Sequence, residues 1–331
     1  MRFWHLSLAR CLFHARAARP CISICGVWLA LLLMFSSFAV HSQPRPDLGT
    51  EEELLAKIEE LHFQRLTDEG AALKQVTELL ETMDRKAMPR AWIRGLSWDI
   101  QNVDKYFQGD FEVLLQSALD LKETPSYIRL LLMKAKQLQT LARAARAEIT
   151  LVYSKARHEA CDVLNEAVLC ADVWQQESNY YYDIKDIPQC LSALNTAMSL
   201  VKDLPGRSRV YYYLTRGILA ATLYSRAEYG KAIEIEDENL LWFKENGFIG
   251  LAANSAGNIA ATFIKTDSTA VEKIHRYLDI AQELATQVED YPQIAYVERT
   301  RGLLLMKQEK PDFAAARLQF ERSSEIYKKL K

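Results

Sequence analysis

Glycine and proline are scarce in this chain: 12 and 9 in 331 residues. Ten of the glycines and six of the prolines fall after residue 50, and the stretch 126–187 has neither. Runs of alternating β-branched residues are missing as well. Strands need that alternation, bounded by turn residues, so sheets are excluded and helix remains. Histidine is rare. Past the amino-terminal region only His62, His158 and His275 occur, none with a second ligand at helix spacing, which excludes a paired-histidine metal site. A glycine-rich phosphate loop and a serine elbow are also missing, and Asn254-Ser255-Ala256-Gly257-Asn258 lacks the context a nucleophile needs. No catalytic residue, metal ligand or cofactor is therefore expected, and the chain reads as a non-enzyme. Nor is there a basic excess: Lys and Arg number 41 against 43 acids. Such a balance argues against nonspecific nucleic-acid binding.

What is present begins with residues 1–42. They hold Arg2, Arg10, Arg16 and Arg19, no acid, and an apolar run from Cys21 to Val40. Small residues at Val40 and Ser42 suit cleavage before Gln43, so the segment reads as an export signal. Uncleaved, the run over 21–40 is just long enough to anchor the chain in a membrane. Either way the remainder is expected in the periplasm or secreted. Without the four arginines the mature chain is more acidic. Residues 43–50, with Pro44, Pro46 and Gly49, read as a linker, and 51–331 as one helical domain.

Three cysteines remain after the signal: Cys161, Cys170 and Cys190. On one continuous helix Cys161 and Cys170 would face opposite sides, roughly 13 Å apart along the axis, too far to bridge. A bridge between Cys170 and Cys190 across a turn near 180–187 is the alternative, beside free buried thiols.

The apolar pattern predicts helices near 51–66, 69–84, 89–104, 110–121, 126–175, 188–202, 207–226, 229–245, 248–265, 269–288, 292–308 and 312–330. Pro89, Pro125, Pro188, Pro292 and Pro311 stand near helix starts, where a missing N–H does no harm. Over 131–156, Leu131, Ala135, Leu138, Ala142, Ala145, Ile149, Val152 and Ala156 recur at intervals of four and three, a coiled-coil rhythm. One continuous helix there would form a central spine or hairpin, or a homodimer seam over 131–163. A turn near 144–148 is the alternative.

An Arg-Gly pair followed by Leu or Ile occurs three times: Ile93-Arg94-Gly95-Leu96, Thr215-Arg216-Gly217-Ile218 and Thr300-Arg301-Gly302-Leu303. Ala256-Gly257-Asn258-Ile259 is a near-copy. Glycine inside a helix costs about 1 kcal/mol against alanine, so its recurrence suggests repeated close helix approach. A small residue follows each later glycine in a second helix: Ala232, Ala270 and Ala316. In Ala227-Glu228-Tyr229-Gly230-Lys231-Ala232-Ile233 an aromatic precedes it by three. Here the chain resembles the tetratricopeptide-repeat family, over 90–122 and 188–331, with a period longer than the family's usual 34. The resemblance implies an all-α, right-handed superhelical array of antiparallel helix hairpins that binds a protein or peptide. In its peptide-binding members an asparagine directly after the first-helix glycine contacts ligand backbone, and Asn258 matches that position. Together with an export segment, long degenerate repeats also resemble the periplasmic sensing region of bacterial signalling proteins such as diguanylate cyclases. The chain then reads as a sensor module without the output domain.

Arg94, Arg216, Asn254, Asn258 and Arg301 are accordingly the candidate partner contacts on a concave face, where charge-assisted hydrogen bonds could hold a carboxylate or an extended peptide. The plainer reading is that these arginines pair with acids between helices. Tyr180-Tyr181-Tyr182 and Tyr211-Tyr212-Tyr213 cannot all face inward, so exposed tyrosine is expected. The run Glu234, Glu236, Asp237 and Glu238 is expected to be solvated. A helical-array hydrolase or lyase with an unidentified site is the rival reading.

Overall fold

Thr50 opens the helical region. Its hydroxyl accepts from the Glu53 N–H while Glu53 caps the Thr50 N–H at 2.7 Å, a reciprocal capping box. The computed structural model describes residues 48–141 and 146–329, and from Gly49 on the chain forms a single contact unit. Residues 1–42, read from sequence as an export signal, and most of the expected linker lie outside the described residues. Among the described residues no helix is long and apolar enough to cross a membrane.

The described residues form fifteen α-helices: α1 (Glu51–Gln64), α2 (Glu69–Thr82), α3 (Pro89–Leu96), α4 (Ile100–Tyr106), α5 (Phe111–Asp120), α6 (Thr124–Thr140), α7 (Arg146–Arg157), α8 (Ala167–Asp183), α9 (Ile187–Val201), α10 (Val210–Ser225), α11 (Tyr229–Glu245), α12 (Ile249–Thr266), α13 (Val271–Gln287), α14 (Tyr291–Lys307) and α15 (Phe313–Lys329). Strands are absent among the described residues. From α8 onward the helices pair as α8/α9, α10/α11, α12/α13 and α14/α15, and each pair packs on the next. First helices also touch first helices, α8 to α10 and α12 to α14. This is the helix-pair array expected of tetratricopeptide-like repeats.

The true period lies in the contacts. Gln175 Nε2 donates to the Thr215 hydroxyl, Gln293 Nε2 to the Ala253 carbonyl at 3.0 Å, and the Tyr277 hydroxyl to Asp237 at 2.8 Å. All three span 40 residues. The glycines keep this step less well. A Cβ on Gly217 would approach Asn239, and one on Gly302 would strike Phe320, both on the second helix of the same pair. On Gly257 it would meet Gln293 and Tyr296 of the next pair, and on Gly95 Leu80 of the preceding helix.

One turn recurs at five helix junctions. Lys122, Lys185, Ala227, Gly247 and Glu289 all sit at positive φ. In each case the next N–H reaches back five residues, as from Asp186 to the Tyr181 carbonyl at 2.8 Å and from Phe248 to Phe243 at 2.9 Å. These are left-handed helix caps that close orphan carbonyls. Only one of the five uses glycine. The left-handed region costs an ordinary residue roughly 1–2 kcal/mol, part of which returns as glycine's greater unfolded freedom. Ala227→Gly (φ 63°) is therefore expected to raise stability by about 0.5–1 kcal/mol, read as a higher thermal midpoint. An unchanged or lower midpoint contradicts this.

The long central helix is split. α6 ends at Thr140, α7 starts at Arg146, and the two pack together as a hairpin. Leu131, Ala135, Ile149, Val152 and Ala156 are buried within the chain, which leaves these seam positions no free face for a second copy. Ala142 and Ala145 lie outside the described residues. A π-helical turn, His158–Val163, extends α7, and Asn165 at φ 51° then reverses the chain into α8.

That reversal corrects the cysteine pairing. Cys161 and Cys170 lie on separate segments, with Cα atoms 5.0 Å apart, and form the disulfide. Cys190 is free and buried, its sulfur 3.8 Å from the Thr222 hydroxyl. Non-reducing peptide mapping should recover 161 joined to 170, with Cys190 alkylated only after unfolding. A 170–190 linkage would overturn this.

Candidate partner-binding face

The α10–α12 segment brings aromatic, charged and amide side chains together. Pro205 and Gly206, the latter at φ 57°, lead through a short 3-10 turn into α10. Tyr211, Tyr212 and Tyr213 follow and all are half-buried, so the exposure expected of the tyrosine runs is not met here. Tyr213 stacks on Trp242 at 4.3 Å with the rings 12° apart. Trp242 stacks in turn on Phe248 at 5.7 Å. The guanidinium of Arg207 lies 5.3 Å and 5.2 Å from the ring centres of Phe63 and Phe248. An aromatic ladder thus joins α1, α10, α11 and the start of α12.

Arg216 lies over this ladder, 5.7 Å and 5.6 Å from the rings of Tyr212 and Tyr213, and pairs with Glu238. Beneath it is Glu236, only 6% exposed. Asn258 Nδ2 donates to the Glu236 carboxylate at 2.9 Å. Burial pushes the Glu236 carboxyl up to about 7, against the opposing pull of Ser255, Asn258, Arg216 and Asn239. Close by, Asn239 Nδ2 donates to the Tyr213 carbonyl at 3.2 Å, and its buried Oδ1 has no donor. Burial thus favours the protonated acid well above the usual carboxylate range, and in that form the group donates as well as accepts. Asn254 is half-buried one turn before Asn258. Residues four apart share a helix face.

Of the five residues singled out from sequence, Arg216 and Asn258 meet around Glu236, with Asn254 beside them on α12. Arg94 and Arg301 are elsewhere. Arg94 grips the fully buried Glu123 at 2.7 Å, together with Arg90 at 3.0 Å. Arg301 pairs with Asp279 at 2.8 Å and Glu298 at 3.3 Å. No free row of arginines results: each has an acid partner on a neighbouring helix or turn.

Sequence reasoning missed Glu236 and Asn239 by treating the acidic run as solvated. Glu234, Asp237 and Glu238 are indeed exposed, while Glu236 is not. The signal was there: Ala232, Glu236, Asn239 and Phe243, the buried residues of α11, recur at four, three and four. No group of three or more potential metal ligands occurs among the described residues.

No family model and no curated protein matches this chain. Among solved structures it is similar to the apo form of RapI, with 16% identity, 84% of this chain and 76% of that one covered, and a TM-score of 0.54. It is also similar to aspartyl phosphate phosphatase F from Bacillus subtilis, with 11% identity, 85% and 74% covered, and a TM-score of 0.54. At such identities the likeness concerns the fold alone, and that fold is an all-α, tetratricopeptide-like array of helix pairs.

Proposed function

We propose that the chain is a non-catalytic helical-repeat scaffold that binds an extended peptide or protein segment on α10–α12. One observation carries the reading. Asn254 and Asn258 present two amides on one face of a first helix, beside a buried acid that can donate or accept and an arginine laid over tyrosine rings. Extended backbone offers alternating donors and acceptors that such amides match, and Tyr and Arg are the side chains on which binding energy concentrates. Because Arg216 already has an acid partner, backbone recognition by the amides is favoured over capture of a free carboxylate.

The work is proposed to take place outside the cytoplasm. Residues 1–42 have the composition of an export signal, and a disulfide between Cys161 and Cys170 suits an oxidising compartment. Service as a sensor module in that compartment fits both.

A random peptide library panned against the full chain, followed by titration of the recovered peptides, tests the reading. Each amide lost to a bonded ligand is worth about 1 kcal/mol, so Asn254→Ala together with Asn258→Ala should weaken binding roughly tenfold to thirtyfold. Asn254→Ala alone leaves the Asn258–Glu236 bond in place and should weaken it about fivefold. Peptides that bind parent and double variant equally would contradict the assignment.

A further inference from the structure

A second polar cluster lies between α1 and the array, away from the α10–α12 amides. Its centre is Arg129 on α6, 7% exposed. One guanidinium nitrogen donates to Glu59 at 3.3 Å, a carboxylate whose side chain is about half exposed. The other two, Nε and Nη1, have no acceptor. The charge of Arg129 reaches His62, Asp172 and Tyr211, and Arg65 and Trp98 stand with His62. His62 packs edge-on to Trp98 at 5.6 Å. Arg65 lies 5.8 Å from the Trp98 ring centre and donates to its carbonyl at 3.4 Å. His62 Nδ1 and Trp98 Nε1 are buried and also lack partners. Burial and the two arginines hold His62 neutral, down to about 3. Burial pushes the Asp172 carboxyl up, opposed by the Gln176 bond and by Arg129 and Arg65. The charges of Asp172, Glu59 and Arg129 also reach Tyr211 on α10.

A buried guanidinium with two open donors is costly unless an acceptor completes it. The unmatched atoms on Arg129 and Trp98 can only donate, so the missing partner is an acceptor. Glu59, already on the guanidinium, and Asp172, which shares its field, disfavour a dianion. Aromatic rings of His62, Trp98 and Tyr211 suit a small, partly apolar body. We infer that Arg129, with Trp98 and His62, forms a binding site for a small monocarboxylate lodged between α1 and helices α6, α8 and α10. Bound there, the carboxylate ties the amino-terminal helix to the array, so occupancy and docking of α1 are linked.

Acetate is the probe, with acetamide as its neutral counterpart, phosphate as the dianion and chloride holding ionic strength constant. Thermal unfolding of the full chain is followed at pH 7 over rising concentrations. A ligand of the folded state stabilises in proportion to the logarithm of its concentration above Kd. The midpoint should rise with acetate, at least fivefold lower concentrations of acetate than of phosphate or acetamide giving the same shift. Arg129→Gln should abolish the acetate response. If that variant does not fold, Arg129→Lys, which keeps the charge and loses the fork, should shift the response at least tenfold to higher concentration. In parallel, the His62 ring signal in NMR should move on adding acetate and stay still with chloride. Equal responses to all four solutes, an acetate response that survives in a folded Arg129 variant, or a His62 signal indifferent to acetate would overturn the assignment and leave ordered water as the acceptor.

Discussion

Phe248→Ala should destabilise the protein by about 3–5 kcal/mol, the range for truncating a fully buried aromatic. Phe248 is 0% exposed. It follows Gly247, whose φ of 77° turns α11 into α12, and its ring meets Phe63, Trp242 and Phe243 within 6.4 Å. Removing it opens a cavity where four elements converge, and neighbours locked by helix pairing cannot collapse into it. Denaturant unfolding monitored by tryptophan fluorescence reads the loss, and Trp242 reports the disrupted stack directly. As a contrast, Phe313→Ala on α15, where the side chain is 66% exposed, should change stability by less than about 0.5 kcal/mol. Similar losses in the two variants would mean that the aromatic ladder is not the junction described.

The second large effect is expected at Glu236. Its carboxyl is raised from 4.5 to about 7 in the folded chain, so the folded state binds the proton more readily than the unfolded one. The associated stability is fully present below pH 4.5 and is lost as pH rises through 7. Glu236→Gln keeps an acceptor for Asn258 and adds an amide donor within reach of the unpaired Asn239 Oδ1. At pH 8 the variant should therefore exceed the parent by up to about 3 kcal/mol, with the difference shrinking toward zero near pH 4.5. His62 acts in the opposite sense. Its lowered value stabilises above pH 6.5, and that contribution is lost as pH falls toward 3. Because His62 is common to both proteins, the difference between variant and parent isolates Glu236. A variant less stable than the parent at pH 8 would show that Glu236 is held ionised there.

Much of the architecture was legible because prolines and short breaks punctuate the helices. The range read from sequence for α11, 229–245, is the one observed, and α12 and α14 are displaced by a residue. The glycines led to the right architecture by an imperfect route, since Gly257 faces the next helix pair while Gly217 and Gly302 face their own. Left-handed caps at Lys185, Ala227 and Glu289 have no sequence signature, because tertiary packing holds ordinary residues in a glycine conformation there. The central segment breaks twice: between Thr140 and Arg146, close to the turn near 144–148 that the sequence analysis held as the alternative to one helix, and again at Asn165, where without glycine or proline the one signal is an asparagine that tolerates left-handed backbone. Once the reversal is missed, Cys161 and Cys170 seem too distant to pair. The candidate face was half legible. Arg216, Asn254 and Asn258 were singled out by their place on the glycine-bearing helices, and Arg216 and Asn258 lie together around Glu236, whereas Glu236 was hidden in a charge run whose neighbours are solvated. Arg94 and Arg301 share the Arg-Gly pair with Arg216 yet serve other helix junctions, because that pair does not encode which acid will face it.

Hydrogen exchange on the full chain, with and without a peptide recovered by panning, tests the central assignment most directly. The account predicts slowed amide exchange over 210–216, 236–239 and 252–258, with α14 and α15 unchanged. Slowed exchange confined to other helices, with these three stretches indifferent to the peptide, would contradict it.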